Sequence, residues 1–546
     1  MKDKAILKFN ILAIISIIIM VFCVTPITFQ NDTFYTIKIG EQIAQNGIDM
    51  LEHFSWHEGL EYTYPHWLFD LIVYHIYNLF DFTGLYMFTV ILGTVLGVVL
   101  YFANVKVSKN YLCSLIISLL TLIFLRGFIT ARAQLVTFIL FALTYYCIEC
   151  FLESKKKRYI VGLITIPILI ANFHLAVFPF YFVIYLPYIA EYIFANSIEE
   201  SIYKKKRIKK LEIKISKLSQ KGKLEDKEYL EKELERIKDE DKEENKSRIL
   251  KVLNKMEIVK KDAVKVLIIV MIICLFTGFL TPLGATPYTY LLKTMQGDTT
   301  SGILEHLPLI LITNAELLAI LVLFFAIMIF TNVKIRISDI CMFGGLLFLS
   351  IMSRRQVSMF FLLCMFFFNK LVSAFINNYS DKIVSQADIL KRMTSKLGIF
   401  AILICVLNIG VIGLENKIGT KYIDETLYPT KACDFIVENL DLNNVKLYNE
   451  YNYGSYLILR DIPVYIDSRA DLYTPEFNEG IDVFNEHSKI STGKEHYEPI
   501  FEKYGITHVL LKNDSLVNHI ISNTDLEKYT QLYTDEYFTL YQRNNI

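Results

Sequence analysis

The chain carries no excess charge of either sign. Its 56 Lys and Arg balance 56 Asp and Glu across 546 residues, so no global field argues for a nucleic-acid partner. Charge is also missing from long tracts: it gathers near 199–262 and after about residue 415. Cysteine is scarce where a disulfide would need it. Cys23, Cys113, Cys147, Cys150, Cys274, Cys341, Cys364 and Cys405 lie in apolar segments, and Cys433 alone sits in the distal region. That region therefore has no internal disulfide. Cys147 and Cys150 form a Cys-x-x-Cys inside an apolar helix with no thiol or His nearby in sequence, and read as packing residues rather than a redox or metal pair. No Gly-rich phosphate loop follows any expected strand, which leaves nucleotide binding without support. After the basic start (Lys2, Lys4, Lys8) and the apolar run to Thr25, no small-x-small cleavage site follows. The run reads as an uncleaved first helix rather than a signal peptide.

What is present is apolar: 53% hydrophobic residues, 39 Phe and 34 Tyr, with a mean hydropathy of +0.38. The apolar stretches are too long and continuous for a water-soluble core. The expected fold is a polytopic α-helical membrane protein with about eleven transmembrane helices and a C-terminal extracytoplasmic α/β domain. Spans are expected near 6–27, 83–104, 110–127, 134–153, 158–173, 176–195, 264–283, 313–332, 337–352, 356–376 and 395–414. Pro65–Phe80 is amphipathic and a turn short, and is expected to lie at the outer interface.

Charge placement orients the chain. With the N-terminus inside and 28–82 outside, the loops 105–109, 154–157, 196–263, 333–336 and 377–394 are cytoplasmic, and all carry Lys or Arg. Were 65–80 a full span, every basic loop would flip outside. An odd span count puts the chain after Gly413 on the outer face of the cell membrane. Four regions follow: 1–195, a transmembrane region containing the outer loop 28–82; 196–263, a charged insertion; 264–414, a second transmembrane region; and 415–546, an extracytoplasmic domain. The insertion spaces Leu and Ile at helical intervals among Lys and Glu, with a break near Gln220–Gly222, and reads as a cytoplasmic helical hairpin. Its charges are a solvated face or a partner-binding surface. In the last region Val445–Tyr448, Val464–Ile466, Thr507–Leu511 and Tyr537–Tyr541 read as strands, and Ala432–Asn439, Phe477–Glu486 and Glu498–Tyr504 as helices.

Polar groups near the outer membrane face carry the candidate chemistry, because ionised side chains persist there when they face a cavity. Asp32 follows the first span and either opens a helix over 33–46 as its N-cap or serves as general base or cation ligand, with Gly40 and Glu41 further along. One outer loop holds His53, Trp56, His57, His66 and Trp67, which include both tryptophans of the chain. The tryptophans suit an interfacial belt, and the histidine spacing matches no standard metal-ligand set. Arg126, Arg132 with Gln134, and the pair Arg354 and Arg355 break the positive-inside pattern. They suit an anion at the outer leaflet, or lipid headgroups alone. Asn172, His174, Thr281, Pro282, Gly284, Glu305 and His306 fall at the same ends of their helices. In the distal domain Asp467, Arg469 and Asp471 follow an apolar run, where Arg469 either braces two carboxylates or helps bind a ligand.

The order Asp32, Phe34, Tyr35, Gly40, Glu41, then Phe54-Ser55-Trp56, then His66-Trp67-Leu68 resembles bacterial membrane glycosyltransferases of the GT-C superfamily, which includes protein mannosyltransferase-like and aminoarabinose-transferase-like enzymes. The likeness continues through Arg132, Asn172-x-His174, Pro282-x-Gly284, Glu305 and Arg354-Arg355, and spans about residues 1–414. His66 stands where these relatives usually have an acidic residue, Ala133 where they have proline, and Asn31 and Thr33 flank a single Asp32. The resemblance implies a polyprenyl-phosphate-linked sugar as donor and an envelope glycan, lipid or protein as acceptor. Asp32 becomes the general base, and Arg132, Arg354 and Arg355 ligands of the lipid phosphate. Glu41, His53, His66, Trp67, Asn172, His174, Glu305, Asp467 and Arg469 complete the candidate substrate-binding set. No cofactor is required, and a divalent cation is optional. The competing class is a non-catalytic scaffold of envelope-polymer assembly. A transporter is disfavoured because no internal repeat is visible.

Overall fold

The computed structural model describes residues 2–197, 262–297, 303, 305–379 and 386–544, with a few isolated positions between 198 and 261. The hairpin expected over 196–263 therefore falls almost wholly outside the described residues. At its end, Met256 and Glu257 run parallel beside Ile335 and Arg336.

The chain opens with helices α1 (Lys2–Val24), α2 (Asn31–Asn46), α3 (Trp67–Ser108), α4 (Tyr111–Phe124), α5 (Ala133–Ser154) and α6 (Lys157–Phe173). Among the described residues six helices are long and apolar enough to cross a membrane: Lys4–Val24, Trp67–Ser108, Ala133–Ser154, Leu175–Ser197, Arg354–Tyr379 and Lys396–Glu415. Tyr111–Phe124, Ala263–Phe279, Ala315–Phe330 and Ile337–Met352 are apolar but shorter. Helices occupy all eleven expected positions, yet the 14 residues of α4 rise only about 21 Å against a hydrocarbon core of about 30 Å. The chain is a membrane-embedded helical protein. Its α1 exposes Leu7, Ile11, Ile15, Ile18 and Phe22 along one stripe. Residues spaced by three and four share a helix face, and an uncovered apolar stripe of this length suits lipid rather than water.

The segment expected at the interface, 65–80, is continuous with the next span. The two form the single helix α3, whose direction breaks at Asp81 (φ 56°, ψ −159°). This positive φ is costly for a residue with a Cβ, and it separates the two parts of α3.

Close helix contacts use small residues. A Cβ on Gly413 would lie 2.4 Å from the Cys23 carbonyl oxygen, and one on Gly410 2.6 Å from Cys23 Sγ. Without Cβ atoms the helix Lys396–Glu415 lies directly against α1, as small-residue faces do in lipid. At the other end of the bundle a buried ionic network ties five segments together. Arg336 pairs with Glu149 (3.2 Å) and Glu191 (2.8 Å), and Lys370 pairs with Asp339 (2.9 Å) and Glu149 (3.5 Å). Charges this far from water persist only when paired.

The C-terminal domain holds a four-stranded mixed sheet: β1 (Leu447–Tyr448), β2 (His508–Lys512), β3 (Tyr529–Thr534) and β4 (Phe538–Arg543), in the order β1-β2-β4-β3. β1 runs parallel to β2, whereas β2 with β4 and β3 with β4 are antiparallel. Thr430–Asn439, Val483–Ser491, Glu498–Tyr504 and Leu516–Asn523 supply its longer helices. Three details differ from the sequence expectation. Val464–Ile466 does not join the sheet, because the Asn449 side chain takes its backbone groups: Oδ1 accepts from Tyr465 N (2.9 Å) and Nδ2 donates to Ile466 O (2.7 Å). The helix expected over Phe477–Glu486 begins only at Val483, since Gly480 sits at φ 82° and interrupts the turn before it. β3 was not anticipated, because its Thr530, Gln531 and Tyr533 lack an apolar alternation.

Replacing Gly413 by Val is expected to force α1 and the last helix of the bundle apart. The cost should be of the order of overpacking, about 1–3 kcal/mol, read as a lower melting temperature in detergent with the adjacent, outward-facing Ile412→Val as control.

Candidate functional site

Helix α2 begins immediately after the first span and lies across the start of α3. The approach is possible because position 40 is glycine: a Cβ there would sit 2.1 Å from the Asp70 carbonyl oxygen. Gln30 occupies the N-cap position, so Asp32 is in the first turn rather than at the cap. Its carboxylate instead meets Arg132, Oδ2 to Nη2 at 2.5 Å, while Arg132 Nη1 also donates to Gln30 Oε1 at 3.4 Å. Arg132 precedes α5 in extended conformation (φ −129°, ψ 150°), which aims its side chain back across the bundle toward α2.

The starts of α3 and α5 and the end of α6 converge beside this pair. Leu175 N donates to Pro65 O at 3.0 Å, and the rings of His66 and His174 meet edge to face at 4.9 Å. His174 Nδ1 shares a hydrogen bond with Thr137 Oγ1 at 2.8 Å. Burial, with the neighbouring cations Arg132 and Arg355, pushes His66 down to about 3. Burial does the same to His174, carried well below the ordinary imidazole range, with His66, Arg355 and Arg132 adding to it. His306 is lowered by burial and then by Arg355. All three rings are thus neutral at physiological pH, and neutral imidazole offers one donor and one acceptor.

The two consecutive arginines behave differently. Arg354 Nε donates to the Pro308 carbonyl at 3.3 Å. Arg355 is held by its backbone, N to Glu305 O at 2.9 Å, and among the described residues its half-buried guanidinium makes no hydrogen bond or ion pair. Its charge reaches His66, His174, His306, Tyr290 and Asp471. Arg132 in turn senses Asp32, Tyr35, Glu305 and Tyr451. Asp32, His66, Arg132, His174, Glu305 and Arg355 therefore share one electrostatic neighbourhood, with Glu305 exposed at its edge.

The other candidates lie elsewhere. Glu41 pairs with Lys38 at 2.5 Å, which also holds Asp461 at 2.6 Å. Nine residues along a helix from Asp32, it faces the opposite side. His53 pairs with Asp49 at 2.6 Å. Glu41 and His53 meet in a separate surface groove of about 230 Å³ with Gln42, Gln45 and Pro463. Asn172 Nδ2 donates to Ile168 O and Leu280 O, tying α6 to a neighbouring turn. The Trp67 indole N–H is buried without a partner among the described residues. His57 bonds the Tyr465 carbonyl at 2.9 Å, so the loop histidines serve three different places. No group of three or more His, Cys, Asp or Glu among the described residues could hold a metal ion.

Asp467 and Arg469 form the most buried charge cluster of the domain. Arg469 Nε donates to Asp467 Oδ1 (2.8 Å) and Nη2 to Asp467 Oδ2 (2.7 Å) and Glu52 Oε1 (2.9 Å), while Nη1 also meets Glu52. Tyr473 OH caps Asp467 Oδ2 at 2.5 Å. Glu52 further accepts Phe54 N and Ser55 N, both at 2.7 Å. Side chains of Arg469 and Glu52 are 2% and 0% exposed, so both are saturated within the protein.

Several participants carry little signal in the sequence. Asp471 stands out only as a neighbour of Asp467 and Arg469, Tyr451 only as part of the unusual polar and aromatic stretch 449–456, and nothing points to Tyr290. Asp70 is fully buried, with the Thr36 hydroxyl beside its carboxylate. A charge in the first turn of an otherwise apolar helix is the signal that could have drawn attention to it. Comparison with known proteins finds no family model that matches the chain and no curated relative.

Replacing Arg469 by Ala should leave Glu52 and Asp467 as buried, unpaired carboxylates. A loss of about 3–5 kcal/mol is expected, seen as a large fall in melting temperature, whereas Lys421→Ala in the exposed pair with Glu425 should cost little.

Proposed function

We propose that the protein is a membrane glycosyltransferase that moves a sugar from a polyprenyl-phosphate-linked donor to an envelope acceptor on the outer face of the membrane. The observation that carries this reading is Arg355, whose guanidinium makes no hydrogen bond or ion pair among the described residues, beside the Arg132–Asp32 pair and three neutral histidines. Such a guanidinium has N–H groups free to bind an anion. Phosphate oxygens suit it because guanidinium binds them through paired N–H groups and neutral imidazoles can donate alongside.

In this reading the donor phosphate takes Arg132 as well as Arg355. Arg132 then exchanges Asp32 for the phosphate, and the freed Asp32 carboxylate accepts the proton of the acceptor hydroxyl. The acceptor oxygen attacks the anomeric carbon, the bond from that carbon to the phosphate oxygen breaks, and the departing lipid phosphate keeps the electron pair between the two arginines. Donor binding would thus switch on the base, so Asp32 stays paired until a sugar is present.

The reading includes eleven spans, a cytoplasmic N-terminus and insertion, and an extracytoplasmic C-terminal domain, supported by the basic loops and by helices at each expected position. Single cysteines at Glu225 and Asp514 should label from opposite sides of sealed vesicles. Labelling of both from one side would overturn the orientation and the outer-face assignment.

Asp32→Asn should lower sugar transfer by about 10²–10⁴-fold and Arg355→Gln by about 10²–10³-fold, both at unchanged expression and melting temperature. Measured on membranes by release of lipid phosphate, full activity in both variants would instead favour a scaffold.

A further inference from the structure

Asp471 lies on a 3₁₀ turn, Ala470–Tyr473, where the C-terminal domain meets helix Thr286–Gln296 of the membrane region. Two hydroxyls from that helix converge on one oxygen of its carboxylate: Tyr290 OH donates to Oδ2 at 2.8 Å and Thr294 Oγ1 at 3.3 Å. Oδ1 accepts no hydrogen bond among the described residues. Among the described residues the carboxylate is thus held at Oδ2 alone, unlike Asp467, whose two oxygens are filled by Arg469 and Tyr473.

Arg355 and His306 lie close enough for their charges to act on Asp471, and Tyr451 is within reach of Asp32, Asp471 and Arg132 together. Tyr451 is itself fixed, its OH donating to Ser468 O at 3.1 Å and its backbone N–H to His487 Nε2 at 3.4 Å. Asp471 therefore shares the electrostatic neighbourhood of Arg355 and, through Tyr451, of Asp32, and reaches it from the C-terminal domain.

We infer that Asp471 is the sugar-reading residue of the site, its free Oδ1 accepting a ring hydroxyl of the donor sugar while Arg355 holds the phosphate. The inference rests on the glycosyltransferase reading. Its logic is one of connectivity: the sugar is bonded directly to the phosphate, so the acceptor group bordering the phosphate-binding arginine meets the sugar's hydroxyls. A carboxylate is a strong acceptor for a neutral hydroxyl. A neutral hydroxyl supplies the hydrogen that Oδ1 can accept and leaves the Arg355 guanidinium to the phosphate. Tyr290 and Thr294 lock the rotamer, so the hydroxyl is read at a fixed position and not by a swinging side chain. Membrane helices would thus hold the lipid phosphate while the C-terminal domain reads the sugar.

The test compares two ligands on the purified full chain in detergent: a short-chain polyprenyl phosphate, and the same lipid carrying mannose, glucose, galactose or arabinose. Asp471→Asn should weaken binding of the preferred glycosylated lipid about tenfold, leave the bare lipid phosphate unchanged, and retain the wild-type melting temperature. Arg355→Gln should weaken both ligands. Tyr290→Phe should give a smaller, sugar-selective loss, and carries the comparison alone if Asp471→Asn does not fold. If the Asp471 and Tyr290 variants weaken both lipids equally, or neither, Asp471 is a joint between the two regions and the inference fails. If the wild type binds neither lipid, or Arg355→Gln changes nothing, the anion-site reading fails and this inference with it.

Discussion

Arg469 is the charge on which the arrangement of the whole C-terminal side depends. It is buried between two carboxylates from parts of the chain 417 and 2 residues away, Glu52 and Asp467. Neither oxygen pair could be left without it, because an unpaired carboxylate this far from water costs several kcal/mol. Glu52 also holds the backbone of Phe54 and Ser55. The staple therefore fixes the path of the loop that leads into His66 and the start of α3. Pairing between Ser55 and Val464, the bond from Trp56 Nε1 to Leu447 O at 2.9 Å, and the reciprocal bonds of Asn478 with Glu61 extend the same seam. Packing then carries the constraint onward: α2 lies on α3 through Gly40, and Asp32 is delivered to Arg132.

Two charged centres stand at opposite ends of the bundle, and their chemistry differs. The network of Arg336, Lys370, Glu149, Glu191 and Asp339 joins cations to carboxylates on five segments. That is what a structural tie requires. At the other end, Arg355 has neighbouring rings held neutral and no carboxylate within bonding distance among the described residues. An unpaired cation kept half-buried costs stability unless a ligand completes it, and that asymmetry distinguishes a binding site from a brace. A surface concavity of about 370 Å³ beside Thr28 and Tyr537 has the opposite character: its Asp424, Glu425 and Asp535 are already engaged by Thr426, Lys421 and Tyr533.

Much of the architecture was legible because it depends on local patterns. Apolar runs located the helices, and their basic flanks suggested an orientation. Asp32, His66, Arg132, His174, Glu305 and Arg355 could be picked out as polar groups at one set of helix ends, and the fold gathers them into one neighbourhood. Glu41 and His53 share their loop and helix with this set but face another groove, since helix rotation and loop path, not proximity in sequence, decide where a side chain points. Asn172 looks similar to His174 in sequence, yet one bonds a backbone carbonyl of a neighbouring turn and the other meets His66 edge to face.

The sequence by itself determined that this chain lives in a membrane, where its helices run, and that its C-terminal region must fold without a disulfide, because hydropathy, helical period and cysteine count are properties of neighbouring residues. Only the tertiary structure decided which charges are spent and which are free. Arg469 and Arg355 look alike as letters in polar stretches. One meets Glu52 from a loop 417 residues away, and the other meets no carboxylate among the described residues. Likewise Asp471 and Asp467 lie four positions apart, but the hydroxyls of Tyr290 and Thr294 reach the first from a distant helix and leave one oxygen open. Pairing of this kind depends on which surfaces the fold brings within about 3 Å, and no local pattern records that.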